Sequence, residues 1–194
     1  MRTKICGITS FEDAMDAINA GADALGFVFY EKSPRYISPS YARKIIEKLP
    51  PFVEKVGLFV NVDAQIINSY IQESLCTLAQ LHFEAETQVY EQLFVPYIKV
   101  VRAKSKEDIL KYGNEYRLVD AYCEAYGGAG KRINIEWFKD IDCSKIILAG
   151  GLDSDNVASL KEYGFYGVDV SSGVEKSYGV KDHNKVKRFI LNAK

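Results

Sequence analysis

One pattern limits what this chain can fold into more than any other. Short β-rich runs alternate with helical stripes from one end to the other. The runs are Arg2–Cys6, Ala24–Phe29, Glu54–Val60, Thr77–His82, Tyr97–Val101, Arg117–Asp120, Lys145–Ala149 and Gly167–Val170. Between them apolar residues recur at the spacing of one helix face: Phe11, Ala14, Met15 and Ile18, then Ala42, Ile45, Ile46 and Leu49, then Ile67, Tyr70 and Ile71, and finally Val186, Phe189, Ile190 and Ala193. Start signals stand where they should. Ser10 precedes the first stripe, Ser38-Pro39 the second, and Asp182 the last. Ser105-x-x-Asp108 reads as the start of a fifth helix, and Asp153 as the start of another that ends at Gly164. The segments after the fourth and sixth runs leave room only for short or irregular helices.

Strands separated by helices must run parallel, because each crossover returns the chain to the same edge of the sheet. Two joints repeat, Gly21-Ala22-Asp23 and Gly164-Phe165-Tyr166, each a helix-ending glycine with a strand close behind. Eight strand–helix units at about 24 residues each fill the 194 residues. The expectation is a single-domain α/β fold over residues 1–194, an eight-stranded (β/α)8 barrel. An open doubly wound sheet is the alternative, but no G-x-G-x-x-G follows the first strand.

Charge and composition exclude several partners. Acidic and basic residues nearly cancel, at a net charge of -1, and no block of like charge occurs, which disfavours nucleic acid and membrane surfaces. The opening residues do not read as a signal peptide, and no apolar run approaches the roughly 20 residues of a membrane span. Four scattered cysteines (Cys6, Cys76, Cys123 and Cys143) read as free thiols in a reducing cytoplasm. Two histidines, His82 and His183, are too few for chemistry that needs several histidine bases or ligands. His183 reads as a surface residue. An anionic substrate would have to be held by local geometry, and the oligomeric state is open, with a monomer favoured.

Barrels of this kind work at the carboxyl ends of their strands. Here those ends carry Cys6, the stretch from Phe29 to Arg35, Asn61, His82, Arg102, Asp120, Gly150-Gly151 and Ser171-Ser172-Gly173. The seventh and eighth loops are small and glycine-rich, so their N–H groups can approach an anion, aided by a short helix start. A phosphate site is favoured over simple tight turns. Cys6 is either an inert buried thiol or a base whose thiolate is favoured by the nearby start of the first helix. Asp120 either caps a loop or, partly buried, stays protonated as a general acid beneath the Tyr126–Lys131 loop, which contains Gly128. His82 is expected to touch substrate, and Arg35 to be either solvated or a carboxylate clamp. Lys4 shares the inward face of its strand with Cys6, and Asp169 occupies the matching place on the last strand. An unpaired charge inside the barrel would be very costly, so the two should form a buried ion pair.

These segments resemble the phosphoribosylanthranilate isomerase family, in order and through nearly the whole chain. The resemblance rests on Lys4 to Thr9, Gly21 to Phe29, Ser33 to Ile37, Val56 to Asn61, Gln80 to His82, Tyr126 to Lys131, Ala149 to Leu152 and Gly167 to Glu175. It implies an Amadori rearrangement without metal or cofactor, converting N-(5'-phosphoribosyl)anthranilate to 1-(2-carboxyphenylamino)-1-deoxyribulose 5-phosphate in tryptophan biosynthesis. It also implies that Cys6 is the general base, Asp120 the general acid, and Arg35 the arginine near the anthranilate carboxylate. Substrate contacts would come from His82, Gly128, Gly150, Gly151, Asp169, Ser171, Ser172 and Gly173. Three positions depart from the family pattern: Phe83 where glycine is usual, a longer Arg132–Trp137 segment, and Tyr178 in place of a common proline.

Rival functions lack their residues. An indole-3-glycerol-phosphate synthase needs a set of catalytic lysines at strand ends, and a metal-dependent pentulose-phosphate epimerase needs more histidines. A bifunctional isomerase serving histidine synthesis would use paired aspartates on the first and fifth strands. A non-catalytic phosphate-binding barrel would have no use for both Cys6 and Asp120.

Overall fold

The computed structural model describes residues 1–73, 75–122 and 132–194. Its centre is a closed barrel of eight parallel strands in sequence order. They are β1 (Arg2–Cys6), β2 (Ala24–Val28), β3 (Glu54–Phe59), β4 (Leu78–Leu81), β5 (Tyr97–Ala103), β6 (Arg117–Ala121), β7 (Ile146–Leu148) and β8 (Gly167–Val170). Closure comes from β1 against β8, in a register that sets Lys4 level with Asp169. The helices are α1 (Phe11–Ala20), α2 (Pro39–Ile46), α3 (Ala64–Gln72), α4 (Thr87–Gln92) and α5 (His183–Ala193).

Period-two alternation divides the buried residues between two places. Ile5, Leu25, Phe27, Phe59, Leu81, Val101, Val119 and Val168 point outward and join the helices in one main core. Residues of the other parity fill the barrel in two smaller clusters, Cys6, Val28, Leu58 and Val60 on one side and Ile98, Val100, Leu118 and Ala149 on the other. Capping follows the sequence closely. Ser10 accepts from Asp13 N, Ser38 from Tyr41 N and Asp182 from Lys185 N. Gly21 and Gly164 end their helices at φ 101° and 70°, where only glycine sits without strain.

Two connections differ from expectation. The helix expected from Ser105 is only a three-residue 3-10 turn, Asp108–Leu110. Asp108 does reach back to the N–H of Ser105, and also to that of Lys104. The carbonyls that would continue a helix are taken elsewhere: the Arg117 guanidinium donates to Ile109 O, Gly113 O and Glu115 O. The helix expected from Asp153 is a 3-10 helix over Val157–Tyr163. Asp153 still caps its start, accepting from the N–H groups of Asp155 and Asn156 while Val157 N donates to its carbonyl. After β8 a 3-10 turn, Ser172–Val174, leads into a small antiparallel hairpin that the sequence did not suggest, β9 (Glu175–Ser177) with β10 (Val180–Lys181). The short helix after the fourth strand and the irregular one after the sixth, a 3-10 helix over Ile135–Phe138, are as expected. Among the described residues, no helix is long and apolar enough to cross a membrane.

Candidate active site

Cys6 is the last residue of β1 and is 5% exposed. Its neighbour across the β1–β2 ladder is Gly26, where a Cβ would come within 2.7 Å of the Cys6 sulfur. Only glycine leaves the thiol its place. Burial pushes the thiol's pKa above its ordinary value, against the pull of the Lys4 and Lys181 cations. The N–H groups of Gly7 and Ile8, which follow Cys6, both donate to Gly26 O.

The Lys4–Asp169 pair forms inside the barrel, with Nζ 2.9 Å from Oδ1 and both side chains almost wholly buried. Lys4 also borders a cavity of about 420 Å³ at the opposite, amino-terminal end of the barrel. The pair thus lies between that hollow and the catalytic rim. Its fields reach both candidate proton-transfer groups. Lys4 and Asp169 act on Cys6, and the same two residues act on Asp120.

Asp120 lies near the end of β6 with its side chain 13% exposed. Burial, with the Asp169 carboxylate, raises its pKa to about 7, while the Ala121 N–H, Arg102 and Lys4 pull it down. Gly150, at φ 91°, backs the carboxyl so closely that a Cβ there would be 2.8 Å from Oδ1. A carboxyl that keeps its proton near neutrality can donate it.

His82 follows β4, is 4% exposed, and has its Nε2 3.7 Å from Asp120 Oδ2. The two are not an ion pair. Burial, with the Arg102 and Lys4 cations, pushes the imidazole pKa down to about 3, so the ring is neutral. Its Nδ1 is 3.3 Å from Gln80 Nε2.

Arg35 differs most from expectation. Its Nε and Nη2 grip the two oxygens of Glu175 at 2.8 and 2.7 Å, in a buried bidentate pair. Lys181 Nζ joins the same carboxylate at 2.9 Å. The carboxylate clamp is therefore closed on a carboxylate of the chain itself, which leaves Nη1 as the nitrogen not engaged by Glu175. Tyr178, the residue in the place of a common proline, lies 5.1 Å from the guanidinium carbon and caps it.

Gly150 and Gly151 form the turn after β7, both with positive φ. Ser171, Ser172 and Gly173 follow β8, where the expected helix start is the three-residue 3-10 turn. Ser171 Oγ is buried and makes no hydrogen bond, and Lys181 Nζ holds the Ser171 carbonyl at 3.4 Å. Phe83 is buried in the main core. His183 is on the surface, with Nδ1 2.8 Å from Asp16. Cys6, Cys76 and Cys143 are free thiols. Gly128, Cys123 and the rest of the Tyr126–Lys131 loop lie outside the described residues.

The rim thus brings Cys6, His82 and Asp120 around the buried Lys4–Asp169 pair. Reading the sequence missed Gln80, Glu175 and Lys181 as working parts. Gln80 had a usable signal, since it stands two residues before His82 and shares its strand face. Glu175 and Lys181 had none, because the hairpin that buries them was not foreseen.

Comparison with known proteins agrees with this arrangement. The family model described as N-(5'phosphoribosyl)anthranilate (PRA) isomerase matches residues 3–192. N-(5'-phosphoribosyl)anthranilate isomerase of Sulfurovum sp. (strain NBC37-1) is 58% identical over 194 residues, covering 100% of this chain and 99% of that protein. The crystal structure of phosphoribosyl anthranilate isomerase from Thermus thermophilus superposes with a TM-score of 0.88 at 34% identity, over 99% of this chain and 98% of that one. Another crystal structure of such an isomerase, in complex with reduced 1-(o-carboxyphenylamino)-1-deoxyribulose 5-phosphate, gives 0.84 at 38% identity, over 100% and 98%. With a family model spanning nearly its whole length and a relative sharing more than half its residues, the chain belongs to the N-(5'-phosphoribosyl)anthranilate isomerase family.

Proposed function

We propose that Cys6 is the general base and Asp120 the general acid of the family's reaction, the isomerisation of N-(5'-phosphoribosyl)anthranilate in tryptophan biosynthesis, carried out in the cytoplasm. Asp120 gives its proton to the furanose ring oxygen, the C1–O bond breaks, and an iminium forms between C1 and the anthranilate nitrogen. That cation acidifies the C2 proton, which the Cys6 thiolate removes. The resulting enolamine tautomerises to the ketone, 1-(2-carboxyphenylamino)-1-deoxyribulose 5-phosphate. Two opposed proton transfers need two groups on separate sides of the sugar, and strands β1 and β6 supply them.

One observation carries this assignment: a single buried ion pair, Lys4–Asp169, acts on both groups. At Cys6 the pull of Lys4 toward the thiolate outweighs the opposing Asp169, and at Asp120 the push of Asp169 toward the protonated carboxyl outweighs the opposing Lys4. The turns at Gly150-Gly151 and Ser171-Ser172-Gly173 present the phosphate site through backbone N–H groups and the unpartnered Ser171 hydroxyl. Arg35 Nη1 is the nitrogen left for the anthranilate carboxylate, on a guanidinium held rigid by Glu175.

The experiment follows anthranilate fluorescence with freshly made substrate. Cys6→Ala and Asp120→Asn should each lose about 10²- to 10⁴-fold in turnover, while the reduced product analogue binds with nearly unchanged affinity. Normal turnover with weakened binding would assign both residues to substrate contact and leave the reaction without its acid and base.

A further inference from the structure

The proton transfers above make no use of β4, yet that strand aims a buried polar pair at Asp120. Gln80 is 1% exposed and His82 is 4% exposed. Gln80 Nε2 lies 3.3 Å from His82 Nδ1. With the Gln80 amide nitrogen turned to the ring and its Oε1 left without a partner, Nδ1 is the acceptor, and a neutral ring that accepts at Nδ1 carries its one proton on Nε2. That Nε2 is buried and has no hydrogen-bond partner. It sits 3.7 Å from Asp120 Oδ2, a few tenths of an ångström beyond a hydrogen bond. A buried donor is rarely left unpaired, and a functional site is where such an exception has a use.

We propose that His82 is a positioning residue for Asp120: its Nε2–H, aimed by Gln80, closes on Oδ2 as the carboxyl gives up its proton. This inference rests on Asp120 being the general acid. Once the proton has left, a buried carboxylate faces Asp169 of β8, a like charge. Its stabilisers are Lys4 of β1, Arg102 of the adjacent β5 and the Ala121 N–H of its own strand. After β7, Gly150 backs the carboxyl closely and brings no charge. A hydrogen bond from β4 completes the set, strengthening as charge develops on the carboxylate. His82 itself neither gains nor loses a proton, since burial, with the Arg102 and Lys4 cations, opposes the imidazolium.

The tautomer is directly measurable. The chain has two histidines, and His82→Phe assigns their signals. The ¹⁵N imidazole spectrum should show His82 protonated at Nε2 and bare at Nδ1, and the opposite tautomer would overturn the proposal. In kinetics, His82→Phe should lower kcat about 10- to 100-fold with KM within about twofold of wild type. It should also raise the acid limb of the pH profile by about half a pH unit, because the carboxylate loses a donor. His82→Gln, whose amide N–H reaches a similar place, should restore most of the lost kcat. Gln80→Leu should produce a smaller fall in kcat at unchanged KM. A raised KM with normal kcat and an unmoved acid limb would make His82 a substrate contact and overturn the proposal. Inactive Asp120→Asn alongside a normal His82→Phe would remove this inference alone, whereas a fully active Asp120→Asn would remove the acid assignment on which it rests.

Discussion

At the scale of single residues, the site sets its acid and base in an unusual order. Burial holds the Cys6 thiol above its ordinary value of 9.0, while Asp120 titrates at about 7. The working form, thiolate with protonated carboxyl, is therefore a minor tautomer. It carries as many protons as the dominant form with thiol and carboxylate, so its share stays level between the two values. The expected kcat/KM profile is a bell whose acid limb, near 7, belongs to Asp120 and whose alkaline limb, above 9, belongs to Cys6. An alkaline limb well below the ordinary thiol value would contradict the burial of Cys6 as its controlling influence. These settings come from three-dimensional neighbours, and the sequence displays only the part that follows strand parity. Lys4 and Cys6 stand two apart on β1, so the Lys4–Asp169 pair was legible. The grip of Arg35 on Glu175 joins residues 140 positions apart through a hairpin with no sequence signature.

At the scale of elements, the carboxyl end of the barrel is tied together by that carboxylate. Glu175 on β9 binds Arg35 from the β2–α2 connection and Lys181 from β10, and all three side chains are buried. The two cations hold the Glu175 carboxyl below its usual range despite burial. Glu175→Ala would leave two cations in the interior without a counter-charge, at a cost of about 3–5 kcal/mol. Urea titration of the variant should show that loss, and a change under about 1 kcal/mol would mean the cluster is open to water. Helices announced by caps and an apolar stripe, α1, α2 and α5, were legible because local signals decide them. The connection after β5 was not, because the Arg117 side chain of the following strand competes for the backbone and takes three carbonyls.

At the scale of the whole molecule, the site's pKa values feed back on stability. His82 binds its proton below 6.5 when unfolded and only below about 3 when folded. By itself it makes the fold less stable as pH falls through that window. Asp120 holds its proton up to about 7 when folded and only up to 3.8 when unfolded, so by itself it costs stability as pH rises from 3.8 to 7. Between about pH 4 and 6.5 these two slopes are opposite and nearly equal, and they cancel. His82→Phe removes one of them. The difference in stability between variant and wild type should then tilt by up to ~1.4 kcal/mol per pH unit, the variant losing ground as pH rises through that window. Denaturant midpoints of both proteins across the range check this, and parallel curves would show that His82 is not held neutral. Residual turnover of the two variants at the centre of the site bears most directly on the division of labour between β1 and β6. With substrate deuterated at C2, Cys6→Ser should show a several-fold primary isotope effect, because removal of that proton has become the slow step. Asp120→Asn should show almost none, because ring opening now limits the rate. The reverse pattern, or equal effects in both variants, would contradict Cys6 as the base and Asp120 as the acid.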